Sequence, residues 1–224
     1  RDVRLFVYTP ANPTGGGLLW IHGGGRVLGA AAADHEQVST FAAEVGCVVV
    51  SVDYRLAPEA PYPAAIDDVY AGLCWLLDAA DDLGIDRDRV AVGGSSAGGG
   101  LAAELAQRAR DNYIPLALQL LVYPMLDDRT VRSDGVVGKF IWTPMSNRYS
   151  WAAYLGHPAG APESRPYAVA ARREDLTGLA PAWIGVGDLD LFLDEDRDYA
   201  RRLTAAGVAC EYVEVPGMYH AADG

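Results

Sequence analysis

The segment Val90-Ala91-Val92-Gly93-Gly94-Ser95-Ser96-Ala97-Gly98-Gly99-Gly100 carries the clearest chemistry in the chain. An apolar β-rich run enters it, glycines follow, and an alanine-rich helical pattern leaves. Gly94-Ser95-Ser96-Ala97-Gly98 fits G-x-S-x-G, a strand–turn–helix elbow that lifts a serine hydroxyl clear of a sheet. The helix N-terminus beyond it stabilises negative charge. The turn is sharp, so small residues are required two positions either side of the serine. That places Ser96 at the tip. Ser95 competes, but a frame centred on it needs glycine at 97, where alanine stands. A phosphate-binding turn is the other reading of so many glycines, yet no Gly-Lys-Ser/Thr follows to make a P-loop.

Acyl chemistry at a serine needs donors for the oxyanion, and losing one donor raises the barrier by about 2.7–4 kcal/mol. His22-Gly23-Gly24-Gly25 directly follows the apolar run 18–21 and leaves backbone N–H groups uncovered. Gly23, Gly24 and Ala97 are therefore the candidate oxyanion donors; a flexible turn between strands is the plainer reading of the glycines. His22 stands at a strand end and reads as a tether for the loop.

The serine also needs a base. Of the four histidines, His22, His35, His157 and His220, only His220 follows a late strand pattern at a glycine turn, Pro216-Gly217-Met218-Tyr219-His220. An acid is required to orient that imidazole and stabilise its charged form. Asp188, Asp190 and Asp194 all follow the run 182–186. Asp194 reads as the cap of the next helix. Spacing alone leaves Asp188 and Asp190 open. The chain order serine, acid, histidine, each in a loop after a strand, is the α/β-hydrolase order.

These loops need strands and helices to hold them. Short apolar runs at 18–21, 47–52, 90–92, 116–123, 182–186 and 210–215 have the both-faces-apolar character of buried parallel strands. Residues 64–79 carry apolar positions near a 3.6 period, 97–110 is alanine-rich, and 194–206 ends at Gly207. Strands separated by helices predict a mostly parallel, doubly wound sheet with helices on both faces. Residues 3–8 read as an edge strand, antiparallel in character. Residues 124–180 are rich in proline and aromatics and predict a partly helical excursion lining a pocket.

The chain has 224 residues, half of them hydrophobic, and a formal net charge of −12. The size suits one domain, residues 1–224, with a substantial core. The acidity argues against a nucleic-acid partner. No apolar run approaches the 18 residues of a membrane span. Cys47, Cys74 and Cys210 sit in apolar runs and predict buried, reduced thiols, hence a reducing compartment, the cytoplasm.

Together these residues resemble the hormone-sensitive-lipase-type (bacterial family IV) esterases of the α/β-hydrolase superfamily. The resemblance rests on His22-Gly23-Gly24-Gly25, Asp53-Tyr54-Arg55-Leu56-Ala57-Pro58-Glu59, Pro63-Ala64-Ala65 with Asp67-Asp68, and Gly94-Ser95-Ser96-Ala97-Gly98-Gly99. Tyr123-Pro124-Met125, Asp190-Leu191-Phe192-Leu193-Asp194-Glu195 and Gly217-Met218-Tyr219-His220 complete it, in family order. It implies an α/β-hydrolase fold, with Ser96, Asp190 and His220 as the catalytic residues. The family's Asp-Pro-Leu-x-Asp-Glu segment falls on 190–195, which favours Asp190 over Asp188. Tyr54 to Glu59 and Asp67 match scaffold positions. Arg26 stands where the family usually has an aromatic residue, and the expectation is that it reshapes the pocket mouth. Members usually carry a cap segment before the first strand and a helix after the histidine, so part of the lid is expected to lie outside this sequence.

The resemblance implies hydrolysis of short- to medium-chain acyl esters through an acyl-enzyme, with no metal or organic cofactor, a small-molecule ester as the partner, and room for a homodimer. An amidase, lactonase or deacetylase would use the same machinery. A non-catalytic small-molecule receptor on the same fold is the alternative from another class.

Overall fold

The computed structural model describes residues 2–131 and 137–222. Seven strands form one sheet among them: β1 (Arg4–Tyr8), β2 (Gly17–Ile21), β3 (Val48–Asp53), β4 (Val90–Ser95), β5 (Leu118–Val122), β6 (Ala182–Gly187) and β7 (Cys210–Val215). Their spatial order is β1-β3-β2-β4-β5-β6-β7. β1 runs antiparallel to β3, and every other pairing is parallel. The expected strands are therefore present, each within a few residues of its expected bounds.

The helices are α1 (His35–Val45), α2 (Ala64–Asp78), the short α3 (Ala80–Leu83), α4 (Ala97–Asp111), α5 (Pro144–Leu155) and α6 (Leu193–Ala205). Successive strand residues point to opposite faces, and the two cores follow that alternation. Leu19, Ile21, Val50 and Val52 join the larger cluster with Val69, Leu73, Leu101, Leu105, Tyr199 and Leu203, under α2, α4 and α6. Leu18, Trp20 and Val49 join a smaller cluster with Val38 and Ala42 of α1 on the other face. The sheet is thus covered on both sides, as an apolar parallel sheet requires.

The excursion after β5 contains α5 and a 3₁₀ turn at Ala170–Arg172. Thr143 caps α5 by accepting from the Ser146 N–H at 3.2 Å, Pro144 occupies the first turn, and Gly156 ends the helix in the left-handed region. Pro at the start and Gly past the end is the preferred arrangement. Among the described residues no helix is long and apolar enough to cross a membrane.

Candidate active site

β4 delivers Ser96 at the middle of the sheet. Its backbone has φ 55° and ψ −119°, a region that L residues occupy only when their surroundings over-determine it. Those surroundings are visible. The Ser96 N–H donates to the Val122 carbonyl at 2.9 Å, and its carbonyl accepts from Gly100 and Met125 at 3.0 and 2.9 Å. A Cβ on Gly94 would press on the Ile21 carbonyl and on Gly98, while one on Gly98 would sit inside the Ile21 carbonyl. The elbow is clamped against the end of β2, and only glycine fits at both positions.

The loops after β6 and β7 bring the acid and the histidine. Asp190 is fully buried, and its Oδ1 accepts from the Phe192 N–H at 3.0 Å. Asp190 Oδ2 accepts from His220 Nδ1 at 2.7 Å. His220 Nε2 faces Ser96 Oγ at 2.9 Å. With Nδ1–H donated to the carboxylate, Nε2 is left as the acceptor for the serine proton, the arrangement a general base needs.

Asp188, the rival acid, has a different place. Its Oδ1 accepts from the Gly217 N–H at 2.7 Å, and its own N–H donates to Val215 at 3.1 Å. Leu189 N–H reaches the Met218 carbonyl at 3.0 Å. Asp188 therefore laces the acid loop to the histidine loop instead of touching the imidazole. Asp194 lies in the first turn of α6, exposed and paired with Arg197 at 3.1 Å; the N-cap is Phe192.

Gly23 packs on the elbow, where a Cβ would contact Ser95 O at 3.2 Å and Ser96 Cβ at 3.5 Å. Gly24 and Gly25 have φ of 109° and 63°, and the Gly24 carbonyl is held by the Val27 and Leu28 N–H groups. Among the described residues the N–H groups of Gly23, Gly24 and Ala97 have no hydrogen-bond acceptor. Ala97 opens α4, so its amide is one of the unpaired donors of a helix start.

His22 is a strut. Its Nδ1 donates to the Gly23 carbonyl at 2.7 Å, and its ring stacks on Tyr54 at 4.2 Å. The Tyr54 hydroxyl donates to the His22 carbonyl at 3.0 Å. Burial lowers the His22 pKa, with the Gly23 carbonyl opposing that shift. His35 opens α1 beside the Tyr8 hydroxyl, and His157 pairs with Glu163. The other family-like positions brace the scaffold: Arg55 binds Asp68 at 2.6 Å, and Arg108 binds Asp67 at 2.7 Å.

Three rings surround the imidazole. Tyr123 and Phe192 meet it edge-on at 4.9 and 5.1 Å, and Trp142 lies at 6.4 Å. Sequence reasoning gave none of them this role. Phe192 stands two residues from the acid and could have been suspected; Trp142 has no fixed spacing to any motif. A cleft of about 860 Å³ opens over Ser96 and His220, walled by Leu28, Phe41, Tyr123, Ile141 and Trp142, with Gly23 and Gly24 at its floor. Arg26 does not line it: the side chain turns inward and is fully buried. Its expected place at the pocket mouth is corrected by that burial, which follows from a left-handed backbone at φ 63° and a buried partner, Glu104. Among the described residues no three His, Cys, Asp or Glu side chains converge to hold a metal ion.

A parallel sheet with a serine elbow at its centre defines a class, and comparison with known proteins agrees. Residues 18–223 match the alpha/beta hydrolase fold family. The chain belongs to that family, in its hormone-sensitive-lipase-type branch. It is 40% identical over 212 residues to carboxylesterase NlhH of Mycobacterium tuberculosis (strain ATCC 25618 / H37Rv), covering 91% of this chain and 65% of that protein. It is 37% identical to esterase LipI of the same strain, over 98% of this chain and 74% of that one. Among solved structures it is similar to a bacterial heroin esterase, with a TM-score of 0.91 and 38% identity over 98% of this chain and 76% of that one. The chain thus spans just under two thirds of the length of the NlhH carboxylesterase.

Proposed function

We propose that this protein is a serine carboxylic ester hydrolase acting on short- to medium-chain acyl esters. The observation that carries the reading is the continuous relay Asp190–His220–Ser96, with contacts of 2.7 and 2.9 Å beside unpaired backbone donors. Ser96 Oγ attacks the ester carbonyl carbon while His220 Nε2 takes its proton. The carbonyl oxygen, now an anion, is met by the N–H groups of Gly23, Gly24 and Ala97. Asp190 holds the imidazole in the tautomer that accepts at Nε2 and stabilises the imidazolium. His220 then protonates the alkoxide leaving group as the C–O bond breaks, leaving an acyl-enzyme. Water, deprotonated by the same nitrogen, releases the acid and restores the hydroxyl.

The apolar walls of the cleft, Leu28, Phe41, Ile141 and Trp142, suit an acyl or alkyl group of modest length. The relatives named as esterases support ester over amide substrates. Residues 1–224 form one catalytic domain in this reading, and the three free thiols suit a reducing compartment, the cytoplasm. Replacing the nucleophile tests it. Ser96→Ala is expected to abolish hydrolysis of a short p-nitrophenyl ester while the circular dichroism spectrum and melting temperature stay those of the parent. Turnover retained in that variant would reject the assignment.

A further inference from the structure

Arg26 is fully buried, as is its partner: Nη2 lies 2.8 Å from Glu104 Oε1. The guanidinium is sandwiched between two rings of α5, its Cζ 4.4 Å from the Trp151 centroid and 4.3 Å from that of Tyr154. A third side, weaker, is Nη1 with the Ala168 carbonyl at 3.4 Å. Its own carbonyl accepts from Ala57 at 2.8 Å. The next residue back is held too, because Ser150 of α5 donates to the Gly25 carbonyl and the Trp142 ring packs on Gly25.

Such a pair is a poor stabilising device. Two desolvated charges roughly break even against apolar residues of the same volume. Its geometric effect is larger. Gly24, Gly25 and Arg26 all have positive φ; glycine takes such angles freely, whereas Arg26 holds its φ of 63° only where its surroundings fix it. Arg26 follows directly on the glycine loop, whose Gly23 packs against Ser95 and Ser96 and whose Gly23 and Gly24 amides are the proposed oxyanion donors. Glu104 stands on α4, whose first residue, Ala97, supplies the remaining amide. One ion pair therefore joins the two segments that carry the oxyanion donors. A Cβ on Gly100 would collide first with the Met125 carbonyl and then meet Arg26 Nη2 at 2.9 Å, so the glycine leaves room for both.

We propose that Arg26 and Glu104, with the Trp151 and Tyr154 rings, form a positioning clamp that sets the spacing between the oxyanion loop and the nucleophile helix. The clamp touches no substrate. It acts through the placement of the Gly23 and Gly24 amides relative to the Ala97 amide, and it rests on the ester hydrolase reading above. Loss of the clamp therefore weakens binding of the tetrahedral state far more than binding of the ester.

The informative variant is the double replacement Arg26→Met/Glu104→Leu, made in the full chain. Removing both charges avoids a lone buried ion and is expected to keep the melting temperature near that of the parent. In that protein kcat for a short p-nitrophenyl ester is expected to fall at least about tenfold, with KM within about threefold. Affinity for an alkyl boronic acid, which adds to the serine as a tetrahedral anion, falls in parallel with kcat. Arg26→Lys keeps the charge opposite Glu104 but not the planar stack, and is expected to show the same split. A merely structural pair would let kcat return once stability returned. Parental kcat and boronate affinity in either folded variant overturn the clamp. Hydrolysis by Ser96→Ala would overturn the hydrolase reading instead, so the two failures are distinguishable.

Discussion

Ser96 stands where β4 lies between β2 and β5 at the middle of the sheet, whereas Asp190 and His220 hang from the ends of β6 and β7 at its edge. The central half is held by backbone against backbone. Ser96 bonds to Val122, Gly100 and Met125, and Gly94 and Gly98 abut the Ile21 carbonyl with no room for a methyl group. The edge half adds side chains to a few backbone bonds, Asp188 N–H to Val215 and Leu189 N–H to Met218. Asp188 ties the two loops together, Tyr123, Phe192 and Trp142 box the imidazole, and Asp190 reaches it from a buried turn. Strained backbone at the nucleophile is thus fixed where packing is least forgiving. The proton-handling groups sit on loops that combine those backbone bonds with replaceable side-chain contacts.

The edge half also stores buried acid. Glu195 accepts from the Leu126 and Asp127 N–H groups at 2.6 and 3.1 Å, and it anchors the start of the excursion to α6. Asp196, beside it, is fully buried with no partner for either oxygen among the described residues. Burial, then the neighbouring Glu195 and Asp190, pushes its carboxyl well above the usual range. Folding must hold that group protonated or bear an unpaired charge.

If the edge half is a side-chain device, its function should be separable from its stability. The largest effect is expected at the acid. Asp190→Asn keeps the volume but lets the imidazole settle in the wrong tautomer, and kcat is expected to fall by about 10⁴-fold. Melting should change little. A comparable loss of activity in Asp188→Asn, with Asp190→Asn near parental, would reverse the assignment of the two acids.

A smaller effect is expected at Asp196. Its folded-state pKa is raised, so the native protein binds more protons than the unfolded chain above the ordinary carboxylate value near 4. Stability from this group is therefore lost as pH rises through that window. Asp196→Asn removes the penalty. It is expected to raise the melting temperature at pH 8, at roughly 2–4 °C per kcal/mol recovered, and to leave it unchanged near pH 4. A shift equal at both pH values would show that the buried carboxyl does not titrate abnormally.

The same contrast separates what could be read along the chain from what could not. The elbow at 94–98 is local. Its glycines, its serine and the helix that follows are contiguous, so sterics within five residues determine the reading. The central strands β2 and β3 were legible because parallel pairing buries both faces and leaves unbroken apolar runs. By contrast, β7 lies at the sheet edge, half exposed and interrupted by Glu211 and Glu214, so its expected two-faced burial does not hold. The acid was not legible from spacing, since Asp188 and Asp190 both face the loop after β7, one at the Gly217 N–H and the other at His220, and only the family resemblance favoured Asp190. Arg26 and Glu104 lie 78 positions apart, and nothing in the sequence links them. The resemblance puts Arg26 at the pocket mouth, because it stands where the family usually has an aromatic residue; in the structure it is buried against Glu104 and the Trp151 and Tyr154 rings. The helix α1 is the opposite case. Val38, Phe41, Ala42 and Val45 stand at helical spacing, but Val, Ser and Thr dilute the helix propensity, and no element was expected there.

The claim on which the rest depends is that Ser96 is the activated nucleophile. Incubation of the intact protein with a fluorophosphonate, followed by peptide mass mapping, tests it directly. One phosphonyl group per chain on Ser96, formed in step with the loss of esterase activity and much more slowly in His220→Ala, is the expected result. Esterase activity that survives full modification of Ser96, or an adduct that maps to another residue as activity is lost, would contradict it.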